Sequence, residues 1–110
     1  RFTDFGALGN TDQHRVKNAG ADTSFTAVSC AAVVPPRARR ARLYVQFDPS
    51  AAGDYFQIRR TGTTQFYKTF YGQTADPIAF EVETELDSSQ QFDYLVSAGN
   101  ATIWVVGYEE

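Results

Sequence analysis

One stretch, IAFEVETEL over residues 78–86, restricts the fold more than any other. Ile78, Phe80 and Val82 alternate with Glu81, Glu83 and Glu85, a period of two. A helix, at 3.6 residues per turn, would scatter both sets around its axis, whereas a strand sends them to opposite faces. The same period recurs in residues 38–47, where Ala41, Leu43, Val45 and Phe47 oppose Arg40, Arg42, Tyr44 and Gln46. It recurs again with Phe56 and Ile58 against Tyr55, Gln57 and Arg59, and with Phe92, Tyr94 and Val96 against Asp93, Leu95 and Ser97.

Turn formers separate these runs: Pro35-Pro36, DPSAAGD, TGTT, TADP, DSSQ and Gly99-Asn100. With SFTAVSCAAVV over 24–34, QFYKTFYG over 65–72 and the closing NATIWVVGYEE, the chain reads as seven strands and no amphipathic helix. The expected fold is all-β, an antiparallel β-sandwich wound as a jelly roll or a related Greek key. Its predicted inner face holds Leu43, Val45, Phe47, Phe56, Ile58, Ile78, Phe80, Val82, Tyr94, Ile103 and Val105. A length of 110 residues suits one such core. Nine Phe and six Tyr with no Met agree with strands. A lone cysteine and no Cys–Trp–Cys pattern argue against an immunoglobulin domain. Residues 1–23, rich in Gly, Asn and Asp, are expected to be an irregular N-terminal segment with a short strand around HRVKN, leaving 24–110 as the sandwich. Because the first residue is Arg1, the stretch reads as lacking its initiator end or as the tail piece of a longer chain.

Little in the sequence points to catalysis. His14 is the only histidine, which removes the usual His/Cys zinc sets and the oriented His of a nucleophile triad. Glu81, Glu83 and Glu85 lie about 7 Å apart along one strand face, at roughly 3.3 Å per residue. That spacing is compatible with paired-carboxylate chemistry, but a solvated acidic face is the commoner meaning. Cys30 reads as a small buried hydrophobe. No cofactor, metal or catalytic residue is expected. No membrane span or signal peptide is visible, and a net charge of −3 makes nucleic acid an unpromising partner.

Two surface features remain. The first is a basic cluster: if residues 38–47 and 55–60 pair as a hairpin, Arg40, Arg42 and Arg59 share an outer face with Tyr44 and Tyr55. That set is a candidate ligand or anion patch. The second is the closing strand, where strict alternation leaves Trp104, Val106 and Tyr108 opposite Ile103 and Val105. Trp104 then needs a cover: a neighbouring subunit, the monomer's own core, or a sugar. With Leu95 on the outer side of the preceding strand, the favoured reading is an oligomer interface of Leu95, Trp104 and Val106.

The succession PPRARRARLYVQF, YFQIRRTGTT and FDYLVSAGNATIWVVGYEE resembles small β-sandwich domains that end bacteriophage virion proteins. The likeness spans roughly residues 33–108 and rests on strand order and pattern. It implies a structural or receptor-binding module, often trimeric, on a tail fibre, tail needle or capsid surface. Other virion proteins, further copies of the chain and a host surface glycan would be its partners. No family active site comes with it. A carbohydrate-binding module of a cellular protein is the alternative.

Overall fold

The computed structural model describes residues 2–5, 12–64 and 67–110. Among these residues nine strands follow one another: β1 (Phe2–Asp4), β2 (Arg15–Gly20), β3 (Thr26–Ser29), β4 (Arg40–Asp48), β5 (Tyr55–Arg60), β6 (Tyr67–Tyr71), β7 (Ile78–Glu85), β8 (Gln91–Val96) and β9 (Asn100–Glu109). A single turn of 3-10 helix, Asp12–His14, precedes β2. No helix among the described residues is long and apolar enough to cross a membrane.

Two antiparallel sheets result. Sheet A has the order β1-β9-β4-β7, with β2 also paired to β9, and sheet B has the order β3-β8-β5-β6. β1 takes β9 at 107–109 and β2 takes it at 101–104, so they share one edge end to end. The pairs β2·β9, β3·β8, β4·β7 and β5·β6 nest around the Thr61-Gly62 turn. From β2 onward, every connection except β5–β6 crosses between sheets. That is the winding of a jelly roll. β4 and β5 are therefore not a hairpin, as the sequence had suggested, because the loop between them passes from sheet A to sheet B. Residues 1–23, expected to be largely irregular, contribute β1 and β2 to sheet A.

The alternation makes the core. Leu43, Val45 and Phe47 face Val82, Phe80 and Ile78 on β7, and Val105, Ile103 and Ala101 on β9. Phe56, Ile58, Phe92, Tyr94 and Val96 meet them from sheet B. Of the predicted inner residues only Ile78 and Phe80 stay partly exposed, because β7 is an edge strand. Phe80 stacks on Phe70 at 4.2 Å and meets Phe56 edge-on at 5.8 Å, bridging the layers. Gly99 turns the chain from β8 to β9 at φ 82, where a Cβ would run into the Asp48 carbonyl.

The strand expected over 24–34 stops at Ser29. Val33 and Val34 both donate backbone N–H to the Cys30 carbonyl, at 2.9 and 3.0 Å, so the chain turns there instead of continuing. The apolar run persists because Cys30, Val34 and Ala38 are buried in the core cluster at that turn. Burial pushes the Cys30 thiol up to about 12, so it is an inert core residue at neutral pH.

Of the edge strands, β2 on one side of the sandwich and β6 on the other each carry an inward-facing lysine. On β2, Lys17 lies opposite inward-facing Ile103, and its ammonium reaches Asp22 at 3.4 Å and the Tyr94 ring at 5.5 Å. On β6, Lys68 lies opposite inward-facing Ile58 and donates to the Glu83 carbonyl of β7 at 2.7 Å. These are the only two lysines in the chain. A charge aimed between the sheets at an edge discourages another strand from adding there.

Candidate functional site

The solvent side of sheet A is built as rows across the strands. One row reads Glu85, Arg40, Glu109; the next Glu83, Arg42, Gly107, Asp4; the third Glu81, Tyr44, Trp104, Arg15. The charges answer one another. Arg42 donates to Glu83 at 2.9 Å and lies 4.2 Å over the Phe2 ring, while Arg40 and Glu109 are 3.8 Å apart. The hydrogen bond to Glu83, with the nearby charges of Glu83, Glu81 and Asp4, raises the Arg42 pKa, and the same bond lowers that of Glu83. These rows hold five carboxylates against three guanidinium groups. An incoming anion would meet more repulsion than attraction there.

The candidate ligand or anion patch is therefore divided. Arg40, Arg42 and Tyr44 lie on sheet A, whereas Tyr55 and Arg59 lie on the outer side of sheet B. The candidate interface is divided in the same way. Trp104 faces out of sheet A, and Leu95, opposite Gln57, faces out of sheet B. Sheets pack about 10 Å apart, so the two side chains point away from each other across the molecule.

Val106 accounts for the apolar residues on both sides of the closing strand. Leu43 pairs with Val105 and Arg42 with Gly107, which leaves Val106 as the extra residue of a β-bulge. The bulge reverses the parity of the strand beyond it. Tyr108 then lies opposite Ala41, packs on the core and meets Phe5 at 5.7 Å, while Phe5 stacks on His14 at 4.5 Å. Val106 itself is buried within the monomer. Trp104 alone keeps the outward position. It is half-buried beside Tyr44, 5.7 Å between ring centroids, and its buried Nε1–H has no acceptor among the described residues.

The outer side of sheet B is different in kind. Arg59 donates from Nε to Asp93 at 3.1 Å, Thr61 donates to the other Asp93 oxygen at 2.7 Å, and Phe25 covers the guanidinium at 3.8 Å. This closed cluster occupies one end of the face. At the other end the outward strand residues carry no charge, and the nearest carboxylate, Asp54, lies in the adjoining loop. Tyr55 and Tyr71 pair across β5·β6, 5.8 Å apart and inclined at 61°. Next to them Gln57 donates from Nε2 to the Thr69 hydroxyl at 3.2 Å. Tyr71 is 58% exposed and is the one large exposed hydrophobic side chain among the described residues.

That end is held firmly. Gly72 donates to the Asp54 carbonyl at 2.8 Å, and Gly53 donates to the Gly72 carbonyl at 2.9 Å. Asp54 accepts the backbone N–H groups of Ser50 and Ala51, both at 2.9 Å, and Ser97 Oγ accepts that of Tyr55 at 2.8 Å. Sequence reasoning placed Tyr55 and Gln57 on an outer face but passed over Tyr71 and Thr69. Their signal was present in the outward parity of β5 and the β5–β6 hairpin.

Two further places carry little. An open cleft of about 430 Å³ lies at one end between Pro36, Arg39, Leu86 and Glu110, with charges of both signs on its walls. At the β2 edge, Tyr94 donates its buried hydroxyl to Asp22, and Gly20 leaves the room this needs. Burial, and then the bond to Asp22, push the Tyr94 hydroxyl up to about 12, while that bond and Lys17 hold the Asp22 carboxyl below its ordinary range. The cluster ties the β2–β3 connection to the core. Among the described residues no three His, Cys, Asp or Glu side chains are grouped to hold a metal.

The fold thus defines a jelly-roll β-sandwich with one charge-laddered face and one partly aromatic face whose single ion pair is closed at one end. No protein-family model and no curated protein matches the chain.

Proposed function

We propose that the protein is a non-enzymatic module of a bacteriophage virion, of the tail-fibre or head-surface type, that assembles through sheet A and leaves sheet B for recognition. The observation that carries this reading is the contrast between the faces. Sheet A offers rows of alternating charge around the Tyr44–Trp104 pair, a pattern that further copies of the same chain can complement. Sheet B offers an uncharged aromatic end with its backbone pinned. The resemblance of residues 33–108 to phage virion domains supports the assignment, and the trimer follows from that resemblance. A carbohydrate-binding module of a cellular protein would use the same aromatic end of sheet B but would have no need of the sheet A contact.

Sedimentation of the chain decides between them. A homotrimer at three times 12.2 kDa, dissociated by Trp104→Ala, is the expected result. A 12.2 kDa species at every concentration removes the assembly reading and leaves the binding module.

A further inference from the structure

The uncharged end of sheet B has the composition of a sugar site, and we infer that Tyr55, Gln57, Thr69 and Tyr71 bind a neutral glycan. The inference deepens the recognition reading above and rests on it. Tyr71 presents an open ring, and Tyr55, inclined at 61°, forms a wall beside it. Tyrosines give broad contact area with a polar tip and lose little conformational freedom on binding. A pyranose ring has an apolar C–H side to lay on such a surface and hydroxyls around its rim.

Those hydroxyls find partners two residues along the strands, about 7 Å away at roughly 3.4 Å per residue. Gln57 spends an amide proton on Thr69, which leaves its carbonyl oxygen as an acceptor and the Thr69 hydroxyl proton as a donor. A few fixed polar groups beside an apolar surface are the ordinary make-up of a small-ligand site.

Charge selects the class of ligand. The charged pair of this face, Arg59 and Asp93, is closed on itself beneath Phe25, with side-chain exposures of 18% and 9%. Among the described residues no guanidinium stands beside the tyrosines to hold a uronate, sialate or phosphate. A second copy of the chain is the weaker occupant, since a stable protein interface buries about 800 Å² per partner around an apolar centre. Here the apolar surface is the exposed Tyr71 ring with half-buried Tyr55 and Leu95 beside it, interrupted by amide and hydroxyl groups and far short of that area.

The test titrates the chain with neutral gluco-, manno- and galacto-tetrasaccharides, and with tetragalacturonate as the acidic probe. Tyrosine ring resonances, assigned by single Tyr→Phe variants, report on sheet B, and Trp104 emission reports on sheet A. At least one neutral probe is expected to shift Tyr55 and Tyr71 without changing Trp104 emission. Tyr71→Ala should weaken that binding about tenfold or more, and Arg37→Ala, at an exposed loop position remote from both tyrosines, should leave it unchanged. Because Tyr71 is largely exposed, its variant keeps the fold. The inference is overturned if no neutral probe binds, if tetragalacturonate binds better than every neutral probe, if Trp104 responds instead, or if Tyr71→Ala binds like the parent. A chain that sediments as a trimer yet ignores every sugar loses the glycan site alone. A monomer that binds sugar through Tyr71 loses the assembly reading alone.

Discussion

Arg42 and Arg59 occupy comparable places, near one end of their strands on the solvent side of their sheets, each beside a carboxylate across a strand pair. Their surroundings differ. Arg42 and Glu83 keep side-chain exposures of 36% and 44%, so water screens their attraction. Arg59 and Asp93, at 18% and 9%, sit under Phe25 with Thr61 filling the second oxygen. The same pair of groups thus gives a solvated, exchangeable ladder on one face and a closed anchor on the other. The contrast teaches that an arginine-rich strand pattern says nothing about ligand charge until the register of its neighbours is known.

The strongest way to break this comparison is Asp93→Ala. It should cost about 3 kcal/mol, the low end for removing one partner of a buried pair, because Arg59 keeps some water contact. Urea unfolding would show it as a lower midpoint at constant slope. A loss no larger than that of Glu83→Ala would mean the two pairs are equivalent.

Tyr94→Phe comes next, at about 1.5–3 kcal/mol for a hydrogen bond to a charged group. It separates stability held between the sheets from stability held on their faces. The parent should also lose stability at high pH. An unfolded tyrosine gives up its proton near 10.0 and the folded one near 12, so stability is intact below pH 10 and declines toward pH 12. The Phe variant should lack that decline. At the acid end, Asp22 and Glu83 are both held below their ordinary values of 3.8 and 4.5. Their contributions are present at neutral pH and should fade as pH falls below those values.

Arg42→Ala should cost only about 0.2–1 kcal/mol, shrinking further as salt is added. Tyr71→Ala should change stability by less than about 0.5 kcal/mol, as expected for an exposed side chain, while weakening sugar binding about tenfold or more. An unfolding midpoint well below the parent's would make Tyr71 a packing residue.

Much of this fold is legible in the alternation, since a strand with one buried face must place its apolar set inward. Leu43, Val45, Phe56 and Ile103 lie where their parity puts them. Parity fails where the ladder is irregular. The bulge at Val106 adds one residue and turns Tyr108 inward, and no local signal in WVVGY marks which residue is extra. Pairing partners were less legible still. Two arginine-bearing strands adjacent in sequence look like neighbours, but the β4–β5 loop crosses the sandwich and sends Arg42 and Arg59 to opposite faces. The aromatic end of sheet B was half visible: the parity of Tyr55 could be read, but its pairing with Tyr71 depends on hairpin register.

The placement of Lys17 and Lys68 bears on how the molecule can be handled. Reagents that couple to primary amines, among them biotin esters, fluorophore esters and amine-to-amine cross-linkers, would find lysine targets only on the strands that close the sandwich edges. Modification of Lys68 would cancel the ammonium that bridges β6 to β7, and that of Lys17 would remove its pairing with Asp22. Heavily labelled material is therefore expected to expose open edges and form aggregates. Neither broad face offers a lysine, so a negative lysine cross-linking result would not bear on contact through sheet A. Immobilisation through a cysteine placed at an exposed loop position such as Ala52 would keep both faces and both edges intact.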